Sequence, residues 1–559
     1  MDVRAKALAA AILGCLSASR AAAAWVRVAS PQVEIFTDAG ERSGRSLLTR
    51  FEEIRRVLQV SEAVDHEPVR VFEFLSESEL HVYHDRVAGF FHGGPERDYI
   101  ALHSGPDAGR VAFHEYVHLV LSHGPAVLPR WFEEGTADFY STLTRSGNRW
   151  SVGEPIESRL TWLTNSRLLS AAQLNSVTPM SDEYQDRERG LFYSESWALV
   201  HMLNLSSEWR AGMPSFVLLL SEGRTADDAF KAAFGKTLDQ AVAALPRYLR
   251  GMRAATVGDV TPAPVNAIRV EPVPPTRATL ALADFALNVE RTDQARRLLE
   301  KLSMDSPEVV AAAGALARAE HRDDEARKLL TKAIELGSRD AATYFEYAMV
   351  EEDAGATASR VEELLGKVIE LNPNFADAQF LLGVRKTDTG LYDPAIAHLK
   401  VATQLRPRRS DYWHALGYAQ SQAGRSADAL ASARRALATA STSGEEGMAH
   451  ALVTLAQERR PARAKRPDVI TPPSWTRRKG DTSVEGVLIR FDCEDEGAKI
   501  VLRSASGSET MLNLLHPREI ELVNAPTASY QFSCGSLEIP VIVEYVSDGR
   551  DVTRIEFRP

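Results

Sequence analysis

The chain has 559 residues, 44% of them hydrophobic, and carries a formal net charge of −11. That length exceeds what one hydrophobic core usually organises, so we expect several domains. The acidic balance excludes a general basis for nucleic-acid binding, because a protein that binds the phosphate backbone needs a basic face.

The first 24 residues have the pattern of a secretory signal peptide. MDVRAK gives a basic start, ALAAAILGCLSA a short apolar stretch, and Ala22 and Ala24 an Ala-x-Ala end. The apolar stretch is shorter than the roughly 20 residues of a membrane-spanning helix. We therefore expect an exported protein, periplasmic or extracellular, whose mature chain begins near Trp25. The residues up to Cys15 form an imperfect lipoprotein box, so membrane association is expected only if Cys15 is lipidated.

Residues 25–255 predict an α+β domain, because strand-like runs alternate with helical segments. The strand-like runs are VRVA, VEIFT, VRVFEFL and DYIALH.

The sequence VAFHEYVHLV contains His-Glu-x-x-His, at His114, Glu115 and His118. On a helix, the two histidines lie four residues apart and share a face, which suits two imidazole nitrogens that bind one tetrahedral Zn²⁺. Glu115 lies beside that face. The motif also arises by chance, so the prediction of a metal site depends on a third ligand.

The segment LPRWFEEGTADFY, residues 128–140, predicts a second helix that starts at Pro129 and supplies this ligand. Glu134 and Asp138 share a face of that helix. We expect Glu134 to be the third ligand and Asp138 to accept a hydrogen bond from the second ring nitrogen of His114. Glu133 is the alternative ligand, but it points about 100° away and has no carboxylate four residues further on.

The two motifs together resemble the gluzincin metallopeptidases, in which His-Glu-x-x-His is followed by a helix with Glu-x-x-x-Asp. Trp131 and the Glu134-Gly135-Thr136-Ala137 context look like the bacterial peptidase-MA-like group, which is often fused to tetratricopeptide repeats. The resemblance covers about residues 70–250. It implies a zincin-like fold, a Zn²⁺ cofactor and hydrolysis of a peptide or protein substrate, with Glu115 as the general base for a zinc-bound water.

The resemblance also implies a donor to the oxyanion and a strand beside the substrate. The segment LFYSESWALVHML, residues 191–203, offers Tyr193, with His201 as the alternative. DYIALHSG, residues 98–105, is predicted as the edge strand that pairs with an extended peptide. Residues 86–110 lack the Gly-x-Met-Glu-Asn stretch of aminopeptidase-N-like enzymes, so an endopeptidase is favoured. Hydrolysis of a non-peptide amide stays open.

Residues 256–275 are rich in proline and predict a linker, and residues 276–458 then repeat a pattern of about 34 residues. In the copy at 376–409, Gly383, Ala395 and Ala402 provide small side chains where paired helices meet, and Leu399 fills the space between them. About five copies and a capping helix are predicted. They resemble tetratricopeptide repeats, which implies an all-α solenoid that binds a protein partner.

Residues 459–480 are basic and predict a linker, and residues 481–559 alternate apolar and polar residues as in a small antiparallel β-domain. Cys493 and Cys534 form a disulfide or remain free thiols; the sequence leaves both open.

Two functions compete at this point. The first is an exported zinc endopeptidase whose repeats recruit a protein. The second is a non-catalytic binding or scaffold protein, in which the repeats carry the function and the zincin-like domain is structural.

Overall fold

The computed structural model describes residues 24–58, 67–85, 87–124, 126–147, 149–177, 190–259, 268–440, 442–457, 480–494, 497–514, 520–523, 535–548 and 550–558. The chain divides into one unit that extends to residue 462 and a second unit from residue 463 onward. The predicted signal peptide, the lipoprotein box at Cys15, the basic linker and Cys534 lie outside the described residues, apart from Ala24 and Gly480.

A six-stranded mixed sheet organises the N-terminal region, which we define as residues 26–272. Across the sheet the order is β4 (Gly89–Gly93), β5 (Asp98–His103), β3 (Val69–Phe74), β2 (Val33–Thr37), β1 (Val26–Ala29) and β9 (Arg269–Pro272). The parallel strands β2, β3 and β5 form its centre, and β1, β4 and β9 are antiparallel to their neighbours.

The predicted edge strand at residues 98–105 is wrong. β5 pairs on both sides, with β3 and with β4, so β4 is the edge strand at this end of the sheet. Strand order follows from long-range pairing, which the local alternation of side chains does not encode.

Both faces of the sheet are covered, which explains why β2 is buried along its whole length. Val33 and Ile35 point into a core shared with the helices α1 (Glu41–Val57) and α3 (Ala108–Ser122). Phe36, on the opposite face, belongs to a second core with Phe285. Phe285 lies on the first helix of the repeat region, so the repeats begin as part of the core of the N-terminal region.

Most of the remaining elements of the N-terminal region contribute residues to the core that contains α3. A second, three-stranded sheet is formed by β6 (Thr144–Ser146), β7 (Arg149–Val152) and β8 (Ala255–Asp259). The other helices are α2 (Glu77–Leu80), α4 (Arg130–Ser141), α5 (Glu157–Asn165), α6 (Ala171–Ser176), α7 (Leu191–Leu205), α8 (Met213–Ser221), α9 (Ala226–Phe234) and α10 (Leu238–Leu249).

The predicted linker at residues 256–275 is wrong at both of its ends. Most of β8 lies within it and pairs with β7, and β9 lies within it and pairs with β1 at the start of the chain. These strands are short and their partners are distant in sequence, so proline content is the only local signal and it indicates a linker.

The predicted helical repeat region is confirmed as an array of helix pairs. In the described part of the chain it contains five pairs and one final helix: α11 (Pro275–Asn288), α12 (Thr292–Leu299), α13 (Pro307–Ala319), α14 (Asp323–Glu335), α15 (Ala341–Asp353), α16 (Ala358–Leu371), α17 (Ala376–Asp388), α18 (Tyr392–Leu405), α19 (Ser410–Gln422), α20 (Ser426–Thr439) and α21 (Ser443–Gln457).

Close packing within each pair depends on the small residues of the repeat. A Cβ atom on Gly383 in α17 would lie 2.4 Å from Cγ of Leu399 in α18. Ala395, Leu399 and Ala402 are fully buried. The glycine is therefore required by the close approach of two helices, and the leucine fills the space that the glycine leaves.

The described part of the C-terminal unit is a β-domain with six strands. The strand order is β12 (Glu509–Leu514), β11 (Gly497–Arg503), β10 (Thr482–Glu494), β14 (Gly535–Val546), β15 (Asp551–Phe557) and β13 (Glu521–Val523), with an added β12–β15 pairing. Antiparallel pairing dominates, but β13 and β12 pair parallel to β15, which the predicted antiparallel domain did not include. Among the residues that the structure describes, no helix is long and apolar enough to cross a membrane.

Candidate metal centre

Two consecutive helices, α3 and α4, carry the residues of the predicted metal site. The buried side of α3 is formed by Phe113, Tyr116 and Val117, which join the core of the N-terminal region. His114 and His118 are four residues apart on a different side of the helix and are half-buried. Helix α4 begins directly after Pro129, as the sequence predicts.

Helix α4 is held against α7 by a backbone contact at Gly135. A Cβ atom at this position would lie 2.2 Å from the carbonyl oxygen of Ser196 and 2.6 Å from Cγ2 of Val200. Only glycine permits this approach, because the Cβ atom of any other residue would overlap the carbonyl oxygen of Ser196. Gly135 therefore fixes the position of its neighbour Glu134.

His114, His118 and Glu134 each contribute one possible ligand atom, and these three atoms lie close together. The two histidine Nε2 atoms are 3.1 Å apart. Oε2 of Glu134 lies 3.5 Å from Nε2 of His114 and 3.4 Å from Nε2 of His118. In the described part of the chain, this is the only group of histidine, cysteine and acidic residues with metal-site spacing.

The geometry of this group fits a tetrahedral zinc ion. Two ligand atoms that each lie roughly 2.0–2.1 Å from such an ion are roughly 3.3 Å from each other. The three separations, 3.1, 3.4 and 3.5 Å, lie close to that value. Two imidazoles and one carboxylate are also the ligand set of several catalytic zinc sites, which leave the fourth position open.

A second carboxylate orients the first histidine. Oδ1 of Asp138 lies 3.1 Å from Nδ1 of His114. The other oxygen of Asp138 lies 2.7 Å from Nη2 of Arg159 in α5. Asp138 is 2% exposed. A carboxylate in this position fixes the ring orientation of the histidine and leaves Nε2 directed at His118 and Glu134.

The electrostatics of the group show how strongly its members interact. Burial lowers the pKa of His114, but hydrogen bonds to Asp138 and Glu134 outweigh burial and raise this pKa to about 10. Burial raises the pKa of Glu134, but the adjacent His118 and His114 hold it well below its usual range. The raised pKa means that a metal ion and a proton would compete for His114.

Glu134, rather than Glu133, faces the histidines. Glu133 instead accepts hydrogen bonds from Arg130, at 2.9 Å, and from Arg408 of the repeat array. Glu115 is half-buried on α3 and lies close enough to contribute to the raised pKa of His114.

The two candidate donors on α7 differ in their surroundings. The guanidinium of Arg159 lies 5.2 Å from the ring centre of Tyr193 and also forms an ion pair with Asp138. Tyr193 is therefore connected to Asp138 through Arg159. His201 is fully buried, with Nδ1 2.6 Å from the hydroxyl of Tyr248 and Nε2 2.8 Å from the carbonyl oxygen of Gly153. Both ring nitrogens of His201 are thus used within the core.

Arg159 was not found from the sequence. It lies in a short helix, α5, without a motif, and its role follows only from its contact with the buried Asp138. The one available signal was indirect: a nearly fully buried carboxylate requires a cationic partner besides a histidine.

No protein-family model matches the chain, and no curated protein matches it. Among solved structures, the chain is similar to the MamA protein, with 20% identity over 30% of this chain and 91% of that chain and a TM-score of 0.25. It is also similar to YrrB, a TPR protein with an unusual peptide-binding site, with 19% identity over 31% of this chain and 89% of that chain and a TM-score of 0.26. A MamA structure from AMB-1 has 24% identity over 29% of this chain and 96% of that chain, with a TM-score of 0.25. These neighbours are what the chain is similar to in part, and at such TM-scores they carry no functional conclusion.

Proposed function

We propose that the chain is an exported zinc-dependent endopeptidase whose repeat array binds a protein partner. One observation carries the proposal: His114, His118 and Glu134 present three ligand atoms at 3.1–3.5 Å from one another. The position of Asp138 on the second nitrogen of His114 supports it, because structural histidine pairs do not require such an orienting carboxylate.

Zinc, when bound, supplies a Lewis acid that acidifies water and polarises a carbonyl oxygen. Glu115 accepts a proton from the attacking water and transfers it to the nitrogen of the leaving amine. Asp138, held by Arg159, keeps the imidazole of His114 in a fixed orientation during this exchange. Tyr193 is proposed to donate a hydrogen bond to the oxyanion, and its contact with Arg159 supports a place beside the Asp138–His114 pair.

The edge strand β4 supports an extended peptide as the substrate. Among the residues that the structure describes, β4 pairs only with β5, and a peptide could pair with the backbone groups on its other side. β4 packs beside the metal-binding helix α3, since a Cβ atom on Gly89 would lie 2.4 Å from Cγ1 of Val111. A peptide on this edge would run along the helix that carries Glu115.

The variant Glu115→Gln tests the chemistry. We expect it to keep zinc and to lose at least about a hundredfold in turnover in a peptide-library assay, because it removes the proton acceptor without removing a ligand. Undiminished hydrolysis by Glu115→Gln would contradict the mechanism. A wild-type chain that binds zinc and partner protein but cleaves no peptide would favour the non-catalytic scaffold instead.

A further inference from the structure

The loop between α18 and α19 reaches out of the repeat array onto the N-terminal region. Nη1 of Arg406 lies 3.1 Å from Oδ1 of Asp98, and Arg406 also donates to the carbonyl oxygen of Gly94. One repeat earlier, Nδ2 of Asn372 donates to Oε1 of Glu96 at 3.3 Å. Successive loops on one rim of the array thus contact the start of β5 and the turn before it.

Arg408, in the same loop, contacts the segment that joins the two metal-binding helices. It forms an ion pair with Glu133 in the first turn of α4, and Nη2 donates to the carbonyl oxygen of Ala126 at 3.2 Å. Glu133 is only 4% exposed. Its other partner is Arg130, whose side chain is 42% exposed. Arg408 is therefore the better shielded of the two cations that hold this carboxylate.

The end of α3 meets the same loop. Nε2 of His123, the residue that follows α3, lies 2.5 Å from Oδ2 of Asp98 and 3.4 Å from Nη1 of Arg406. The loop that carries Arg406 and Arg408 consequently contacts the C-terminal end of the helix with His114 and His118, and the N-terminal turn of the helix with Glu134.

We propose that Arg408 is a positioning residue for the metal centre, through which the repeat array fixes helix α4. The proposal rests on the proposed zinc site and extends it to the array. Glu133 directly precedes Glu134, so a shift of the first turn of α4 displaces the third ligand. Without Arg408, the buried carboxylate of Glu133 keeps only the partly exposed Arg130 as a partner, which leaves its charge less well compensated. The first turn of the helix is then expected to move so that Glu133 gains contact with water. Ligand groups must stay within about 0.5 Å of their working positions to keep a site intact.

The test compares five full-chain variants: Arg408→Gln, Glu133→Gln, the double variant of these two, Arg406→Gln and Arg409→Gln. Arg409 lies in the same loop but pairs with Asp411, at 2.6 Å, inside the array, so its variant is the matched control for loop damage. Arg406→Gln controls for weaker docking of the array as a whole. Two quantities are measured: the zinc dissociation constant, by competition with a chelator, and amide hydrogen exchange of α4 in the zinc-free chain.

We expect Arg408→Gln and Glu133→Gln each to weaken zinc binding about tenfold, with little further loss in the double variant, and to speed exchange in α4. Arg409→Gln should change neither quantity. Equal effects of Arg408→Gln and Arg409→Gln, or of Arg408→Gln and Arg406→Gln, would overturn the assignment to Arg408. A wild-type chain that binds no zinc would overturn the proposed function, and the exchange of α4 would still decide whether Arg408 holds that helix.

Discussion

The variant Gly135→Ala examines how the position of Glu134 is fixed. An added methyl group would lie 2.2 Å from the carbonyl oxygen of Ser196, at least about 1 Å too close. Relief of this contact requires α4 and α7 to separate by a similar distance, and Glu134 moves with α4. That shift exceeds the roughly 0.5 Å tolerance of a metal site. We expect a loss of about 1–3 kcal/mol in the free energy of unfolding and at least a tenfold weaker zinc affinity.

Urea unfolding followed by circular dichroism, and chelator competition for zinc, measure the two effects. Gly366→Ala is the matched control, because Gly366 also lies within a helix, α16, and no atom approaches its Cβ position within 4 Å. It should be neutral or stabilise the chain by about 0.5–1 kcal/mol, since alanine favours a helix over glycine. If Gly135→Ala behaves like Gly366→Ala in both assays, the contact between α4 and α7 does not position the ligand.

The remaining predictions concern Asp138 and Glu96. Asp138→Asn keeps the size of the side chain but removes the charge beside His114, so we expect zinc affinity to fall about 10–100-fold in chelator competition, and an unchanged affinity would contradict the orienting role. At the contact with the array, burial and the nearby charge of Asp340 raise the pKa of Glu96 to about 7, although Arg97 lowers it in part. Its contribution to stability is therefore present below about pH 4.5 and is lost as the pH rises through 7, by up to about 3 kcal/mol. Over this pH range, the thermal stability of the wild type should fall relative to that of Glu96→Gln. The same pH dependence of thermal stability in both proteins would refute the assignment.

The sequence was sufficient to predict that His114, His118 and Glu134 lie together, because their geometry is local. His114 and His118 on one helix, and Glu134 and Asp138 on the next, are each four residues apart, and helical periodicity alone brings each pair to one face. The meeting of the two pairs depends on the connection of seven residues between α3 and α4, which is too short to allow the helices to diverge.

The features that the sequence did not provide depend on distant contacts. The identity of the edge strand, and the pairing of β9 with β1, join residues that no periodicity relates. The docking of the repeat array through Arg406 and Arg408 connects these residues to partners 308 and 275 positions earlier. In the sequence these arginines lie at the end of the repeat copy at 376–409, and charged residues in such a position are usually solvated.

Zinc content per chain tests the central claim most directly. Elemental analysis of the purified wild type and of Glu134→Ala, both shown to be folded by circular dichroism, measures whether the three ligands hold a metal ion. The account predicts close to one zinc ion per wild-type chain and a large loss in the variant, because two histidines alone leave the site incomplete. A folded wild-type chain without zinc, or an equal zinc content in Glu134→Ala, would contradict it.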